Sequence, residues 1–424
     1  MDEPNLDAME QMLSGESGPG TQIAAEIIMA LAKVFDARGY VSINSSQISG
    51  VSFKNIGEAG LEFLESLRAG GARSRVVATL NPCGLDLASW QELGFSESFY
   101  LNQKRVIDAY AGLGVDATCT CAPYLWENCP TLGEHVAWSE SSAISYVNSV
   151  LGARTNREGG PAALAAALTG FTGNYGLHLD ENRIPAMIVN ITVPIKTYFD
   201  FGTLGLMLGK KLGQSVAFIT GLEHEACTGE NLRQLGAAMA ASGAVALYHI
   251  DGVTPESKTV SSLIDTSAIF PDAIEINDLE EMRDALPAKF DGDGIAMVDI
   301  VFLGCPHYSR QEVLDVIETL RNKELKATIW IATARPVKKQ LLDDPDIVAG
   351  LDSRVKIISD TCIVVCPVDE LGIRSVVTNS GKAFFYLRNN DHLAVLYRDT
   401  STCIDAAISG TIAVTKEENT HAQD

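Results

Sequence analysis

Helix-type and strand-type hydrophobic patterns alternate along almost all of this 424-residue chain. Apolar residues recur at helical spacing in residues 23–35, 160–168, 203–212, 231–241, 278–286, 310–321 and 337–349. β-rich apolar runs occupy residues 40–43, 75–80, 115–118, 186–193, 215–220, 244–249, 295–303, 327–332, 355–358, 362–365 and 374–377. Because strands that alternate with helices pack as layers, the pattern predicts an α/β fold with mostly parallel sheets. Ser309 and Glu312 predict a capping box at the start of one helix.

Three cysteine-bearing segments lie where β-rich runs end. They contain Cys119 and Cys121, then Cys305, then Cys362. In α/β folds, groups that face a ligand gather at the ends of strands. Three converging thiolates can hold an iron–sulfur cluster with one open iron, which can accept a hydroxyl as a Lewis acid. Structural zinc is the main alternative, but the chain has no Cys-x-x-Cys pair and no paired histidine spacing.

Two further polar segments can be interpreted either as ligand-binding segments or as ordinary surface loops. Residues 135–143 and 152–160 combine hydroxyls and the Glu140 carboxylate with Arg154 and Arg157, which can grip a carboxylate. Residues 47–57 form a glycine-bearing loop before a helix, where backbone N–H groups favour phosphate. Alternatively, both are surface loops with capping serines and solvated charges.

Residues 378–383 follow a predicted strand and contain Ser380, Gly381 and Lys382. Lys382 can hold a carboxylate or a phosphate. A simple exposed turn explains the same composition equally well.

Charge excludes one class of partner. The chain has 32 Lys and Arg against 54 Asp and Glu, which gives a net charge of −22. Nucleic acid is not expected as a partner because phosphate backbones require clustered cations. The negative net charge does not exclude a small anionic substrate, because the local electrostatic potential in a cleft can be positive. The acidic start, the short apolar runs and nine cysteines without a secretory signal predict a cytoplasmic protein without membrane contact.

Several long blocks resemble one enzyme family, aconitase X, and specifically its large catalytic subunit. They are residues 119–124, 135–143, 149–161, 175–183, 304–307, 360–362 and 379–383. The resemblance runs from near residue 10 to near residue 412. It implies multi-lobed α/β layers around a central cluster cleft, with residues 1–415 as the catalytic region and 416–424 as a polar tail.

The resemblance also implies an activity. The family consists of hydro-lyases that dehydrate either 5-phosphomevalonate or cis-3-hydroxy-L-proline, and residues 47–57 look more like the archaeal, phosphomevalonate branch. Dehydration of (R)-5-phosphomevalonate to trans-anhydromevalonate 5-phosphate in isoprenoid synthesis is therefore expected. The alternatives are dehydration of cis-3-hydroxy-L-proline and, in a different class, a non-catalytic iron–sulfur regulator.

By the same resemblance, Cys121, Cys305 and Cys362 would bind a four-iron cluster; a two-iron cluster or a single iron remain alternatives. Cys366 stands where a small apolar residue is expected, so it competes with Cys362 as third ligand. Glu140, Ser141 and Lys382 are the expected catalytic residues. The expected substrate-binding set is Gly50, Val51, Ser52, Asn81, Pro82, Glu140, Ser141, Ser142, Arg154, Ser380, Gly381 and Lys382.

Fused members of the family carry a further small swivelling domain that supplies a serine base. In this sequence the resemblance stops soon after residue 410. A separate small subunit is therefore expected as the partner that completes the site.

Overall fold

The computed structural model describes residues 3–264, 273–280 and 294–414, and these residues form three α/β lobes. Each lobe contains one parallel sheet, as the alternating pattern predicts. Within the described ranges, no helix combines the length and apolar character needed to cross a bilayer.

The first lobe packs helices around a three-stranded parallel sheet of order β3-β2-β4. Its strands are β1 (Tyr40–Ser42), β2 (Ser45–Ile48), β3 (Val77–Leu80), β4 (Val136–Trp138) and β5 (Phe171–Gly173), of which β1 and β5 form an antiparallel pair. Its helices are α1 (Glu3–Leu13), α2 (Pro19–Val34), α3 (Phe53–Ala69), α4 (Glu97–Gly112), α5 (Ser141–Tyr146) and α6 (Gly160–Thr169), with a π-turn at Val147–Leu151 and 3₁₀ turns at Pro123–Leu125, Gly176–His178 and Asp180–Arg183. In α3, Leu61, Leu64 and Leu67 recur at helical spacing and are buried in the lobe's core.

The second lobe is a four-stranded parallel sheet of order β8-β7-β6-β9 covered by two closely packed helices. Its elements are β6 (Met187–Ile191), α7 (Tyr198–Leu212), β7 (Ala217–Thr220), the 3₁₀ turn His224–Ala226, α8 (Gly229–Gly243), β8 (Tyr248–Ile250), α9 (Ser257–Ser261) and β9 (Ile274–Ile276). Helices α7 and α8 approach closely because Gly209 and Gly243 face each other; a Cβ on Gly209 would lie 2.8 Å from the Met239 carbonyl oxygen.

The third lobe contains a five-stranded parallel sheet of order β13-β12-β11-β14-β15. Its elements are β10 (Gly294–Met297), β11 (Ile300–Tyr308), α10 (Arg310–Leu320), β12 (Thr328–Thr333), α11 (Arg335–Leu342), α12 (Pro345–Val348), β13 (Val355–Ile358), the 3₁₀ turn Val368–Leu371, β14 (Ser375–Thr378), α13 (Gly381–Leu387), β15 (Ala394–Tyr397), α14 (Thr400–Ser409) and β16 (Thr411–Val414). Strands β10 and β16 pair antiparallel beside it. The predicted capping box of Ser309 and Glu312 is confirmed at the start of α10.

Three predictions about local structure were wrong. Residues 115–118 and 362–365 are not strands; they are loops, with only an isolated bridge at Asp116 in the first of them. Conversely, β2 is the central strand of the first sheet, although Ser45, Ser46 and Gln47 suggested a polar connection. Their side chains are buried and hydrogen-bonded; for example, Ser46 Oγ donates to the Ala137 carbonyl at 2.9 Å. Most of the predicted helix at 278–286, and the tail at 416–424, fall outside the described residues.

Candidate active site

A cavity of about 290 Å³ lies between the first and third lobes, at the carboxyl ends of strands from both sheets. The first lobe contributes residues that follow β2, β3 and β4, together with Cys121 on the connection after α4. The third lobe contributes the end of β11 and residues that follow β13 and β14. The wall consists of residues 49–52, Asn55, Asn81, Pro82, Cys121, residues 139–141, Cys305, Cys362, Val364, Val365, Lys382 and Tyr386. Parallel sheets gather ligand-facing groups at these ends, so this cavity is the candidate active site.

Cys121, Cys305 and Cys362 all line this cavity and are almost completely buried. Burial raises the pKa of each thiol to about 12, and the Lys382 ammonium opposes that rise. Backbone N–H groups also favour two of the thiolates: that of His307, at 3.2 Å, for Cys121, and those of Val364 and Val365 for Cys362. Such support suits thiolate ligands of an iron–sulfur cluster.

Across residues 3–264, 273–280 and 294–414, no three His, Cys, Asp or Glu side chains converge so that they could hold one metal ion. The three thiols therefore border the cavity without meeting at a point. Cys366, the competing ligand, is fully buried outside the cavity wall, where its thiol contacts the Ile363 carbonyl at 3.7 Å.

His307 connects the three cysteine-bearing segments through contacts of its imidazole ring. Its Nδ1 lies 3.0 Å from Thr120 Oγ1, and its Nε2 lies 3.0 Å from the Thr361 carbonyl oxygen. Burial lowers the pKa of His307 to about 4, so the ring is neutral at pH 7. Its position next to Cys305-Pro306 in the sequence gave no sign of this bridging role, which depends on two distant loops.

Glu140 and Lys382 form a buried ion pair across the two lobes. The second carboxylate oxygen of Glu140 accepts hydrogen bonds from Ser142 Oγ at 2.5 Å and from the Ala143 N–H at 2.7 Å. Burial lowers the pKa of Lys382, but the Glu140 carboxylate and the nearby thiols raise it above its ordinary value. The ammonium thus stays charged inside the cavity, where it can meet an anionic group of a substrate.

Gln47, at the end of β2, fixes the first-lobe wall. Its side-chain oxygen accepts the Glu140 backbone N–H at 3.1 Å, and its side-chain nitrogen lies 3.4 Å from the Asn81 amide oxygen. The following loop, residues 49–52, bends at Gly50, whose φ of 79° favours glycine. Ser52 Oγ donates to the Val365 carbonyl at 3.0 Å and ties this loop to the third lobe.

Most of the predicted site residues meet in this cavity, but four do not line it. Ser142 lies behind Glu140, whereas Ser380 and Gly381 begin α13 and position Lys382; the Ser380 hydroxyl contacts the Cys305 carbonyl. Arg154 lies elsewhere, because its guanidinium is held by the His178 carbonyl at 3.0 Å and by Asp180.

Asn55 and Tyr386 line the cavity although neither was among the predicted site residues. Asn55 stands within the glycine-bearing loop segment that suggested a phosphate site. Tyr386 stands four residues after Lys382 on α13, so helical spacing places both on one face. That spacing is a usable signal only once the helix is known.

Comparison with known proteins matches this chain to one family over nearly its whole length. Family models described as the first, second and third domains of aconitase X match residues 5–181, 185–285 and 298–409. The "Phosphomevalonate dehydratase large subunit" of Methanothermobacter thermautotrophicus is 44% identical over 92% of this chain and 95% of that protein. The "Cis-3-hydroxy-L-proline dehydratase" of Pseudomonas aeruginosa is 31% identical over 96% of this chain but only 70% of that protein.

A solved structure shares the fold. The crystal structure of Thermococcus kodakaraensis aconitase X, described as the holo-form, superposes with a TM-score of 0.83 at 40% sequence identity. The similarity covers 94% of this chain and 98% of that one.

Proposed function

Because the chain belongs to the aconitase X family, we propose that it is the large subunit of a phosphomevalonate dehydratase. The reaction removes the C3 hydroxyl and a C2 proton of (R)-5-phosphomevalonate as water and leaves trans-anhydromevalonate 5-phosphate. One observation carries the proposal: the 44% identity to a phosphomevalonate dehydratase large subunit extends over 92% of the chain, including both walls of the cavity.

The cofactor in this proposal is an iron–sulfur cluster held by Cys121, Cys305 and Cys362. Three buried thiols contributed by both walls of the cavity, each favoured as a thiolate by the Lys382 ammonium, fit a four-iron cluster better than a single ion. When bound, the cluster supplies a Lewis acid for the leaving hydroxyl.

The chain's own residues bind and orient the substrate. In this proposal Lys382 and Ser141 hold the substrate carboxylate, and the ion pair with Glu140 keeps the Lys382 ammonium in position. Backbone N–H groups of residues 50–52, in the loop before α3, bind the phosphate in this proposal. Fixed charge beside the carboxylate stabilises the negative charge that develops when the C2 proton leaves.

The base in this proposal is a serine of a separate small subunit, which together with this chain makes a two-subunit enzyme. The "large subunit" wording in the names of archaeal relatives supports such a partner. The 30% of the Pseudomonas aeruginosa protein that lies outside the match is consistent with an additional region in the single-chain relatives.

Cis-3-hydroxy-L-proline fits this cavity less well. Its ring nitrogen is cationic and would require a carboxylate that is not already paired. Among the described residues, Glu140 supplies the only carboxylate in the cavity wall, and Lys382 neutralises it. A purely regulatory protein is also disfavoured, because a sensor does not need a buried ion pair beside a hydroxyl-rich cavity.

Two substrates offered side by side test the proposal. The chain, with its small subunit and an anaerobically reconstituted cluster, is given (R)-5-phosphomevalonate or cis-3-hydroxy-L-proline, and mass spectrometry follows loss of one water. We expect dehydration of phosphomevalonate only, and loss of that activity in Cys305→Ala. Dehydration of hydroxyproline alone would refute the assignment.

A further inference from the structure

Most hydroxyl groups in the cavity wall already donate their proton to a carbonyl oxygen. Ser49 Oγ donates to the Ser139 carbonyl at 3.2 Å, and Ser52 Oγ donates to the Val365 carbonyl at 3.0 Å. Ser139 Oγ in turn donates to the Gln47 carbonyl at 2.9 Å. These hydroxyls cannot also donate to a phosphate without breaking a bond that holds the wall together.

Asn55 differs from these residues. It lies in the first turn of α3, and its backbone N–H donates to the Ser52 carbonyl at 2.9 Å, next to the loop proposed to bind phosphate. Asn55 lines the cavity, and its exposed side chain makes no hydrogen bond with any described part of the chain. Its carboxamide therefore offers two N–H donors to a ligand.

Among the described residues of the wall, no unpaired cationic side chain is available to bind the phosphate in place of Asn55. Within the described part of the wall, the carboxylate and ammonium side chains are those of Glu140 and Lys382, which neutralise each other. Lys54, the cation nearest in sequence to Asn55, directs its ammonium to the Cys366 carbonyl at 3.4 Å and does not line the cavity. A phosphate beside residues 50–52 must therefore be held by neutral donors.

We propose that Asn55 is a specificity-determining residue whose carboxamide donates a hydrogen bond to the phosphate of the substrate. This inference rests on the proposed function. An aspartate at this position keeps the shape of the side chain but removes both donors and places a carboxylate against the phosphate. The loss should appear only with phosphorylated ligands.

The test uses the complex of both subunits with the cluster in place. KM for (R)-5-phosphomevalonate and the dissociation constant of (R)-mevalonate, which lacks the phosphate, are measured for wild type, Asn55→Ala and Asn55→Asp. A hydrogen bond to a charged group corresponds to about a 10-fold to 150-fold rise in KM for Asn55→Ala, and Asn55→Asp should exceed it. Mevalonate binding should change less than about twofold.

Asn322→Asp is the matched control, because it adds the same charge at an exposed position outside the cavity wall, where a φ of 56° suits either residue. Its KM should match wild type. Unchanged KM in Asn55→Asp, or equal losses for both ligands, would overturn the role of Asn55. Wild type that does not dehydrate phosphomevalonate would instead refute the proposed function, so the two failures are distinguishable.

Discussion

The buried pair of Glu140 and Lys382 allows stability and catalysis to be separated. Both side chains are less than one-tenth exposed, and each is the other's main partner. Lys382→Met leaves the Glu140 carboxylate buried without a cation, which costs about 3–5 kcal/mol of unfolding free energy. Glu140→Gln likewise leaves the Lys382 ammonium buried without its carboxylate partner. The double variant removes both charges, and we expect it to regain most of that loss.

Activity should not return with stability. Lys382 is proposed to bind the substrate carboxylate, and a hydrogen bond to a charged group is worth about 1.5–3 kcal/mol, which corresponds to a loss of roughly 10-fold to 150-fold in kcat/KM. All three variants should show at least this loss. Urea unfolding of the complex reports stability, and steady-state dehydration of phosphomevalonate reports activity.

Lys338→Met is the matched control. Lys338 forms a comparably buried pair with Asp86 at 2.6 Å, but neither residue lines the cavity. This variant should lose stability to a similar extent and keep kcat/KM near wild type. The reasoning fails if the double variant Glu140→Gln/Lys382→Met is no more stable than the single variants, or if it dehydrates phosphomevalonate at the wild-type rate.

Three further predictions concern single positions. Cys305→Ala should lower the iron content of the reconstituted chain and its visible absorbance, whereas Cys366→Ala should leave both unchanged; equal losses would reassign the third ligand. Burial raises the pKa of Glu158 from 4.5 to about 7, so the native state keeps a proton that the unfolded chain loses and stability falls as pH rises through that window. Glu158→Gln should flatten this slope, worth up to about 3 kcal/mol, in urea unfolding at several pH values; an unchanged slope would contradict it. Ser309→Ala should cost about 1 kcal/mol in the same assay through loss of the α10 cap, and no change would show that the cap contributes nothing.

The sequence supported the α/β architecture and the cysteine positions for the same physical reason. Apolar periodicity marks buried strands and their ends: Cys305 lies in the last part of β11, and Lys382 follows the end of β14 by four residues. Strand β2 was not predicted because its buried residues are polar. Burial of Ser46 is compensated by hydrogen bonds to segments about a hundred residues away. No local pattern encodes such partners.

Site membership beyond those positions depends on tertiary contacts. Arg154 has the right chemistry for a carboxylate, but Asp180 and the His178 carbonyl hold it elsewhere. No sequence pattern singled out Asn55. Its role was inferred only because the Ser49 and Ser52 hydroxyls donate to carbonyl oxygens in the structure. Which donors are already bonded to other groups can be known only from the three-dimensional structure.

A crystal structure of the complex with the cluster and (R)-5-phosphomevalonate tests the central claim most directly. The account predicts the phosphate against residues 50–52 and Asn55, the carboxylate at Lys382, and the C3 hydroxyl facing Cys121, Cys305 and Cys362. A phosphate bound at Lys382, or a substrate bound outside this cavity, would contradict it.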